Sequence, residues 1–316
     1  MDMKSSRGYH DAMIHVETLR AGIPIFRALD SEVRIRILEL LEEHQNLNMN
    51  ELAEKLGLSN GALTTHVKLL DACKLIEVRT ATGKHGTQKI CSLHEDRLII
   101  DLKTESADRV YDSEIDVGLY SDYEVYPTCG LATKERIVGE WDDPRYFADP
   151  ERVNAGIVWF TKGFVEYRIP NYLKPDQKPE ELQFSFELGS EAPGSCDDWP
   201  SDIHFSLNGR MLGYWTSPGD FADARGIFTP SWWDPIWNQY GLLKLLSINA
   251  YGTFIDGGKI SDVTLDDLGI TYKSGLSLRL AVPETARNVG GLTIYGKNFG
   301  NYNQGIRTRI RWAQLG

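Results

Sequence analysis

Residues 48–93, NMNELAEKLGLSNGALTTHVKLLDACKLIEVRTATGKHGTQKICSL, constrain the fold more than any other stretch. Asn48 with Glu51 three residues on is a capping-box pattern, so a helix begins there. Leu52, Ala53 and Leu56 line one face of it, and Gly57 supplies a left-handed stop. Ser59 caps the next helix, in which Leu63, Val67 and Leu70 recur at helical spacing and face inward. Two short helices about one tight turn are expected, followed by a hairpin. Ile76, Val78 and Thr80 alternate with Glu77 and Arg79, the period of a half-buried strand. Residues 82–86, Thr-Gly-Lys-His-Gly, turn the chain, and residues 88–93 return as the partner strand. The pattern is a helix-turn-helix with a wing.

The outward positions suit a polyanion. Ser59, Asn60, Gly61, Thr64, Thr65 and His66 are small or polar, which fits base edges and nearby backbone in a major groove. Lys68 on the helix and Lys84, His85 and Lys89 on the wing are placed to meet phosphates. Short helices with a hairpin also occur in proteins that never touch nucleic acid, so spacing alone leaves the function open.

A resemblance narrows it. Residues 25–93, within a similar region of about 20–95, resemble the winged helix-turn-helix of ArsR-type bacterial transcriptional regulators. IFRALDSEVRIRILELLEE is similar to that family's first core helices, and LSNGALTTHVKLLDACKLIEVR to its recognition helix and first wing strand. The family often places Ser and one or two His before Leu; here Thr64, Thr65, His66 and Val67 stand there, so the second His is kept. Where the family runs Ala-Gly-Leu-Val out of the helix, this chain has Cys73, Lys74, Leu75 and Ile76, with lysine in place of glycine. The resemblance implies binding of double-stranded DNA as a homodimer at an inverted-repeat operator, most often as a repressor released by a ligand. Metal-sensing members carry cysteines on the preceding helix. Glu51-Leu52-Ala53-Glu54 has none, and other members use acidic and histidine ligands near the dimer helices, for which His10 and His15 are too loosely placed, so neither a metal nor a cofactor is expected.

Net charge is −11 over 316 residues, which looks wrong for DNA binding until it is divided. Residues 1–100 hold 13 Lys/Arg against 14 Asp/Glu; residues 101–316 hold 21 against 31. The acidity therefore belongs to the second part, which is unsuited to lie along a polyanion. Three segments are expected: a DNA-binding domain at 1–95, a linker at 96–112 and a second domain at 113–316. The four cysteines, Cys73, Cys91, Cys129 and Cys196, are far apart and form no Cys-x-x-Cys pair. No apolar run is long enough for a membrane helix or a signal peptide, so a cytoplasmic protein without a membrane partner is expected.

Earlier in the chain, Pro24 is expected to break or restart a helix. Val33, Ile37, Leu38 and Leu41 form a buried stripe, with Arg34 and Arg36 on a solvated face.

Beyond residue 112 helical stripes give way to short strands. Phe184, Phe186 and Leu188 alternate, as do Ile203, Phe205 and Leu207. Asn208-Gly209 then supplies a type I′ turn, marking the clearest hairpin. Residues 242–250 fit a helix or a strand, while 260–265, 276–282, 292–295 and 306–312 read as strands. The fold class is two-domain α+β: a winged helix-turn-helix, then a mainly antiparallel β-sandwich of jelly-roll type.

The second part concentrates tryptophan in loops. Trp199 follows Asp197 and Asp198; Trp215 closes the hairpin; Trp232, Trp233 and Trp237 lie in PSWWDPIWNQY. Flat aromatic faces beside carboxylates suit the C–H faces and hydroxyls of a sugar. These seven residues are the candidate ligand site for a small polar effector, a mono- or oligosaccharide, though an aromatic core would use the same residues. In style this part resembles carbohydrate-binding jelly rolls and galactose-binding-like sandwiches. A glycan-processing enzyme needs two carboxylates roughly 5–10 Å apart. The adjacent pairs Asp142-Asp143, Asp197-Asp198 and Asp266-Asp267 do not supply that, because strand neighbours point opposite ways. No catalytic residue is assigned. The remaining alternative is a docking protein that uses the winged helix for protein contacts.

Overall fold

The computed structural model describes residues 13–16, 18–83, 86–94, 97–100, 102 and 109–315. The chain divides into two compact units, His10–Thr104 and one built on Glu105–Gly316.

The first unit runs β1 (Met13–Val16), α1 (Leu19–Leu29), α2 (Glu32–His44), β2 (Asn46–Asn48), α3 (Met49–Leu56), α4 (Asn60–Ala72), β3 (Ile76–Gly83), β4 (Gly86–Leu93) and β5 (Arg97–Ile100). β2, β4 and β3 form an antiparallel sheet in that order, and β1 pairs in parallel with β5. The residues expected to face inward do so. Ile37, Leu40 and Leu41 of α2 meet Leu52 of α3 and Leu63, Val67 and Leu70 of α4, with Leu47, Ile76 and Cys91 from the sheet. Each such side chain contributes about 1.5–3 kcal/mol by leaving water. α1 is continuous through Pro24, contrary to the expected break. Proline removes one N–H, whose partner would be the carbonyl one turn back at Arg20, in the exposed first turn of the helix where one lost bond is tolerated.

The second unit contains β6 (Val110–Ile115), β7 (Asp122–Ala132), β8 (Ile157–Ile169), β9 (Gln177–Gly189), β10 (Ser201–Leu207), β11 (Arg210–Ser217), β12 (Leu242–Asn249), β13 (Gly252–Ile255), β14 (Gly258–Ser261), α5 (Leu265–Leu268), β15 (Leu276–Val282), β16 (Leu292–Tyr295) and β17 (Ile306–Gln314). All twelve strands belong to one antiparallel sheet, whose main path is β11-β10-β15-β8-β16-β9-β12-β13-β14. β7 adds to the free edge of β8, and β17 pairs with β9 and β6. Inward residues alternate as the sequence indicated: Leu276, Leu278, Leu280 and Val282 are buried, and Phe186 stacks on Phe205 with ring centroids 5.6 Å apart.

The antiparallel β-domain is therefore present, but it curls toward a closed barrel instead of dividing into the two sheets of a jelly-roll sandwich. Two details account for this. β16 is only four residues long yet pairs with both β8 and β9, so no seam separates the halves. At the other end β11 approaches β14, where Ser261 Oγ donates to the Leu212 carbonyl at 2.5 Å. Gly213 permits that approach, since a Cβ there would lie 2.9 Å from Ile260 Cδ1. Register shifts within β7, β10, β13 and β17 bend the strands.

Residues 242–250 resolve as the strand β12. The strand expected over 260–265 stops at Ser261, because Thr264 and Asp267 form a capping box that starts α5. Asp266-Asp267 thus opens a helical turn. Asn208 and Gly209 both have positive φ, 51° and 76°, as the type I′ turn requires.

Candidate nucleic-acid interface and receptor loops

Side chains cap the starts of α3 and α4, and a left-handed glycine closes the turn between the two helices. Asn48 Oδ1 accepts from the N–H groups of Asn50 and Glu51 at 2.9 and 3.0 Å, and Glu51 Oε2 accepts from Asn48 N at 2.8 Å. Gly57 is left-handed at φ 65°, and the N–H of Leu58 closes on the Ala53 carbonyl at 2.9 Å. Ser59 Oγ accepts from Ala62 N at 3.3 Å. With Leu63, Val67 and Leu70 buried, α4 has its other face outward.

Ser59, Asn60, Gly61, Thr65 and Lys68 are exposed, and Thr64 and His66 are half-buried. Asn60 Nδ2 donates to Asn50 Oδ1 at 2.9 Å, which ties the first turn of α4 to α3. Thr64 Oγ1 donates to the Asn60 carbonyl at 2.6 Å. His66 Nδ1 lies 3.4 Å from an Arg34 nitrogen. Arg34 donates to the carbonyls of Ala28, Arg27 and Asp30 at 2.5, 2.8 and 3.1 Å. It thus closes the C-terminal end of α1, where the sequence suggested only a solvated face. Lys89 is exposed on β4, paired across from Thr80. Lys84 and His85 lie outside the described residues. Lys74 adopts φ 57°, the conformation glycine takes most easily.

The seven candidate ligand residues occupy three places. Asp197, Asp198 and Trp199 are exposed on a loop that crosses residues 218–220, through the Cys196–Asp220 bridge and the bond from Trp199 N to the Pro218 carbonyl at 2.9 Å. Trp215 is buried within β11, with Lys244 Nζ 4.5 Å from its ring and Asp256 2.9 Å from that ammonium. Both charged side chains are fully enclosed, so Trp215 is packing material. Trp232, Trp233 and Trp237 join two tryptophans that sequence reasoning passed over, Trp141 and Trp159. Ring centroids lie 4.7 Å apart for Trp141–Trp237, 5.0 Å for Trp233–Trp237 and 5.7 Å for Trp159–Trp233, at steep angles. Trp233 is the buried centre of a wedge, while Trp141 remains 45% exposed and Trp232 37%. Arg225 holds this loop by donating to the carbonyls of Pro230, Ser231 and Trp233.

Beside the wedge lies a polar group also missed from sequence. Glu191, just past β9, accepts from Thr128 Oγ1 at 3.2 Å and from Asn238 Nδ2 and Thr293 Oγ1 at 3.1 Å each. Burial, and then the neighbouring Asp220 carboxylate, hold Glu191 well above the usual carboxylate range. Burial likewise pushes Asp220 up to about 7, with Asp197 adding to the shift. The readable signal was an acidic residue at the end of an apolar strand, FSFELGSE, where charge is out of place.

Residues 30–77 match the model of a family described as winged helix-turn-helix DNA-binding. The first unit is therefore a winged helix-turn-helix that resembles ArsR-type regulators. Among solved structures, Rv0081 of M. tuberculosis is 28% identical over 24% of this chain and 71% of its own, with a TM-score of 0.21. NolR from Sinorhizobium fredii is also 28% identical, over 24% and 70%, with a TM-score of 0.21. Dimeric latent PorU from Porphyromonas gingivalis spans 73% of this chain and 16% of its own at 12% identity and a TM-score of 0.27. A search of the curated proteins returns no match. Among the described residues no helix is long and apolar enough to cross a membrane, and no group of three His, Cys, Asp or Glu is placed to hold a metal ion.

Proposed function

We propose that the protein is a sequence-specific transcriptional regulator, a repressor, that binds an inverted-repeat operator as a homodimer and is released by a small ligand of its second unit. The observation that carries this is the outward face of α4. Its first turn is tied to α3 by the Asn60–Asn50 hydrogen bond, exposes Ser59, Asn60, Gly61 and Thr65, and is flanked by Lys68. A helix tied in this way, with small or polar residues on its first turn, fits a major groove. Asn60, Thr64, Thr65 and His66 serve base edges or adjacent backbone; Lys68, Lys84, His85 and Lys89 serve phosphates. The second unit, acidic and rich in half-exposed tryptophan, acts as the receptor, with a sugar as the effector class and Trp232, Trp237, Asp197, Asp198 and Trp199 as its contacts. To switch the protein, the ligand must bind the DNA-competent and DNA-incompetent states with different affinity.

Selection of the full-length protein over random duplexes tests this, repeated with a panel of sugars. Enrichment of one palindrome, with affinity falling steeply in salt, is expected. Loss of that binding with one sugar identifies the effector. Failure of any duplex to enrich overturns the regulator reading.

A further inference from the structure

Two carboxylates of the second unit are buried without a cation. Glu191 is 7% exposed and Asp220 1%, and among the described residues neither makes an ion pair. Glu191 accepts from Thr128, Asn238 and Thr293, so the acid short of a donor is Asp220, and two neighbouring acids are supplied as well. Asp256 has the ammonium of Lys244, and Glu187 accepts backbone N–H groups from Gly241, Asn301 and Tyr302. Asp220 Oδ2 accepts from Ala192 N at 3.0 Å, while its Oδ1 has no donor. The Tyr295 hydroxyl, on a side chain only 1% exposed, also has no partner, and it lies within the field of Asp220, Glu187 and Glu191. Uncompensated charge and orphaned polar atoms are costly in an interior.

The aromatic wedge adjoins this group. Thr293, which holds Glu191, is paired directly across from Trp159. Tyr295 packs in one cluster with Trp159 and Trp233. Asn238 follows Trp237 in the chain, and Asp142, whose charge acts on Glu191, follows Trp141. Indole faces attract cations, more so where water is excluded. A neutral sugar would satisfy the orphaned hydrogen-bonding atoms but leave the acids holding their protons, whereas a cation would also stabilise their ionised form. An ammonium group answers both needs.

We infer that Glu191, Asp220 and Tyr295 receive the protonated amine of a small organic ligand whose carbon skeleton lies against Trp141 and Trp237. This rests on the receptor reading of the second unit and narrows its ligand class, from sugars in general to amine-bearing molecules such as an amino sugar.

All eight tryptophans lie beyond residue 140, so indole fluorescence of the full-length protein reports this unit alone. The probes are glucosamine, putrescine, glucose and N-acetylglucosamine, titrated at matched ionic strength on either side of about pH 7. Expected is a saturable change with glucosamine or putrescine that weakens roughly tenfold per pH unit below the titration of the acid pair. Glu191→Gln and Asp220→Asn lose that response by at least about tenfold while keeping a cooperative thermal transition, and Trp141→Ala, at a half-exposed position, weakens it. Equal binding of glucose or N-acetylglucosamine overturns the inference and leaves the receptor reading standing. Undiminished amine binding by the acid-pair variants also overturns it. If none of the four probes binds, the inference falls, and the receptor reading is decided separately by duplex selection with sugars.

Discussion

Gly61 occupies the first turn of α4, exposed, with nothing within 4 Å of the place a Cβ would take. Its backbone is helical, so the fold gains nothing from glycine there, and glycine costs a helix up to about 1 kcal/mol against alanine. Under the regulator reading, the missing side chain leaves room for a DNA backbone to approach. Gly61→Ala should therefore raise thermal stability by about 0.5–1 kcal/mol while weakening operator binding. Unchanged or tighter DNA affinity would remove Gly61 from the interface. Lys74 presents the reverse case. It sits at φ 57° in the turn after α4, where the Leu75 N–H closes on the Leu70 carbonyl at 3.1 Å. A non-glycine residue pays about 1–2 kcal/mol there, partly offset by the greater freedom of glycine in the unfolded chain. Lys74→Gly should stabilise the first unit by about 1 kcal/mol, read from chemical denaturation followed by far-UV circular dichroism. A loss of stability would mean that the lysine side chain contributes more than the backbone strain costs. Lys68, exposed on α4, is the residue to separate phosphate from base contacts. Lys68→Ala should weaken all duplexes alike and reduce the slope of log affinity against log salt by about 1.

At the scale of elements, what the sequence made legible was local. The capping box of α3, the left-handed Gly57 and the Ser59 cap are each set by residues within a few positions of one another, and each is in the structure as the chain reads. Replacing Asn48 by Ala removes the acceptor of two N–H groups and should cost about 1 kcal/mol, measured as a shift in the denaturation midpoint. The type I′ turn at Asn208-Gly209 was readable for the same reason. The barrel was not, because alternation within a strand states which face is buried but not which strand lies beside it. β16 joins two halves by pairing with strands more than a hundred residues away in sequence. The aromatic loop shows a related limit. PSWWDPIWNQY announces a site or a core with equal force, and only packing separates buried Trp233 from half-exposed Trp232. Glu191 and Asp220 are 29 residues apart and meet through contacts between loop segments, which no local pattern marks.

At the scale of the whole molecule, the buried acid pair gives the second unit a distinctive dependence on pH. Asp220 titrates near 7 in the folded protein, against about 3.8 when exposed. Between those values the unfolded chain releases a proton that the folded chain retains. Stability from this group is therefore full below about pH 4 and falls as pH rises toward 7, with no further change above that. Glu191, raised in the same direction, adds to the decline, and Asp197 and Asp142 face the pair with like charge. Glu114, Glu166 and Asp202 act oppositely: hydrogen bonds, with nearby cations for the first two, hold them below their ordinary range, so their contribution is lost only as the solution becomes strongly acidic. Among these acids the balance favours the acidic side of neutrality, while His94 and His204, which burial holds below the ordinary imidazole range, oppose it by gaining stability as pH rises. Thermal unfolding followed by tryptophan fluorescence should show the midpoint falling between about pH 5 and about pH 7.5 in the native protein. Asp220→Asn, which cannot ionise, should flatten most of that fall and unfold at a higher temperature than the native protein at about pH 8. Parallel profiles for the two proteins would mean that the carboxyl keeps one protonation state across this range. A midpoint rising toward neutrality in both would assign the pH dependence to His94 and His204, which burial holds below the ordinary imidazole range, instead of the buried pair.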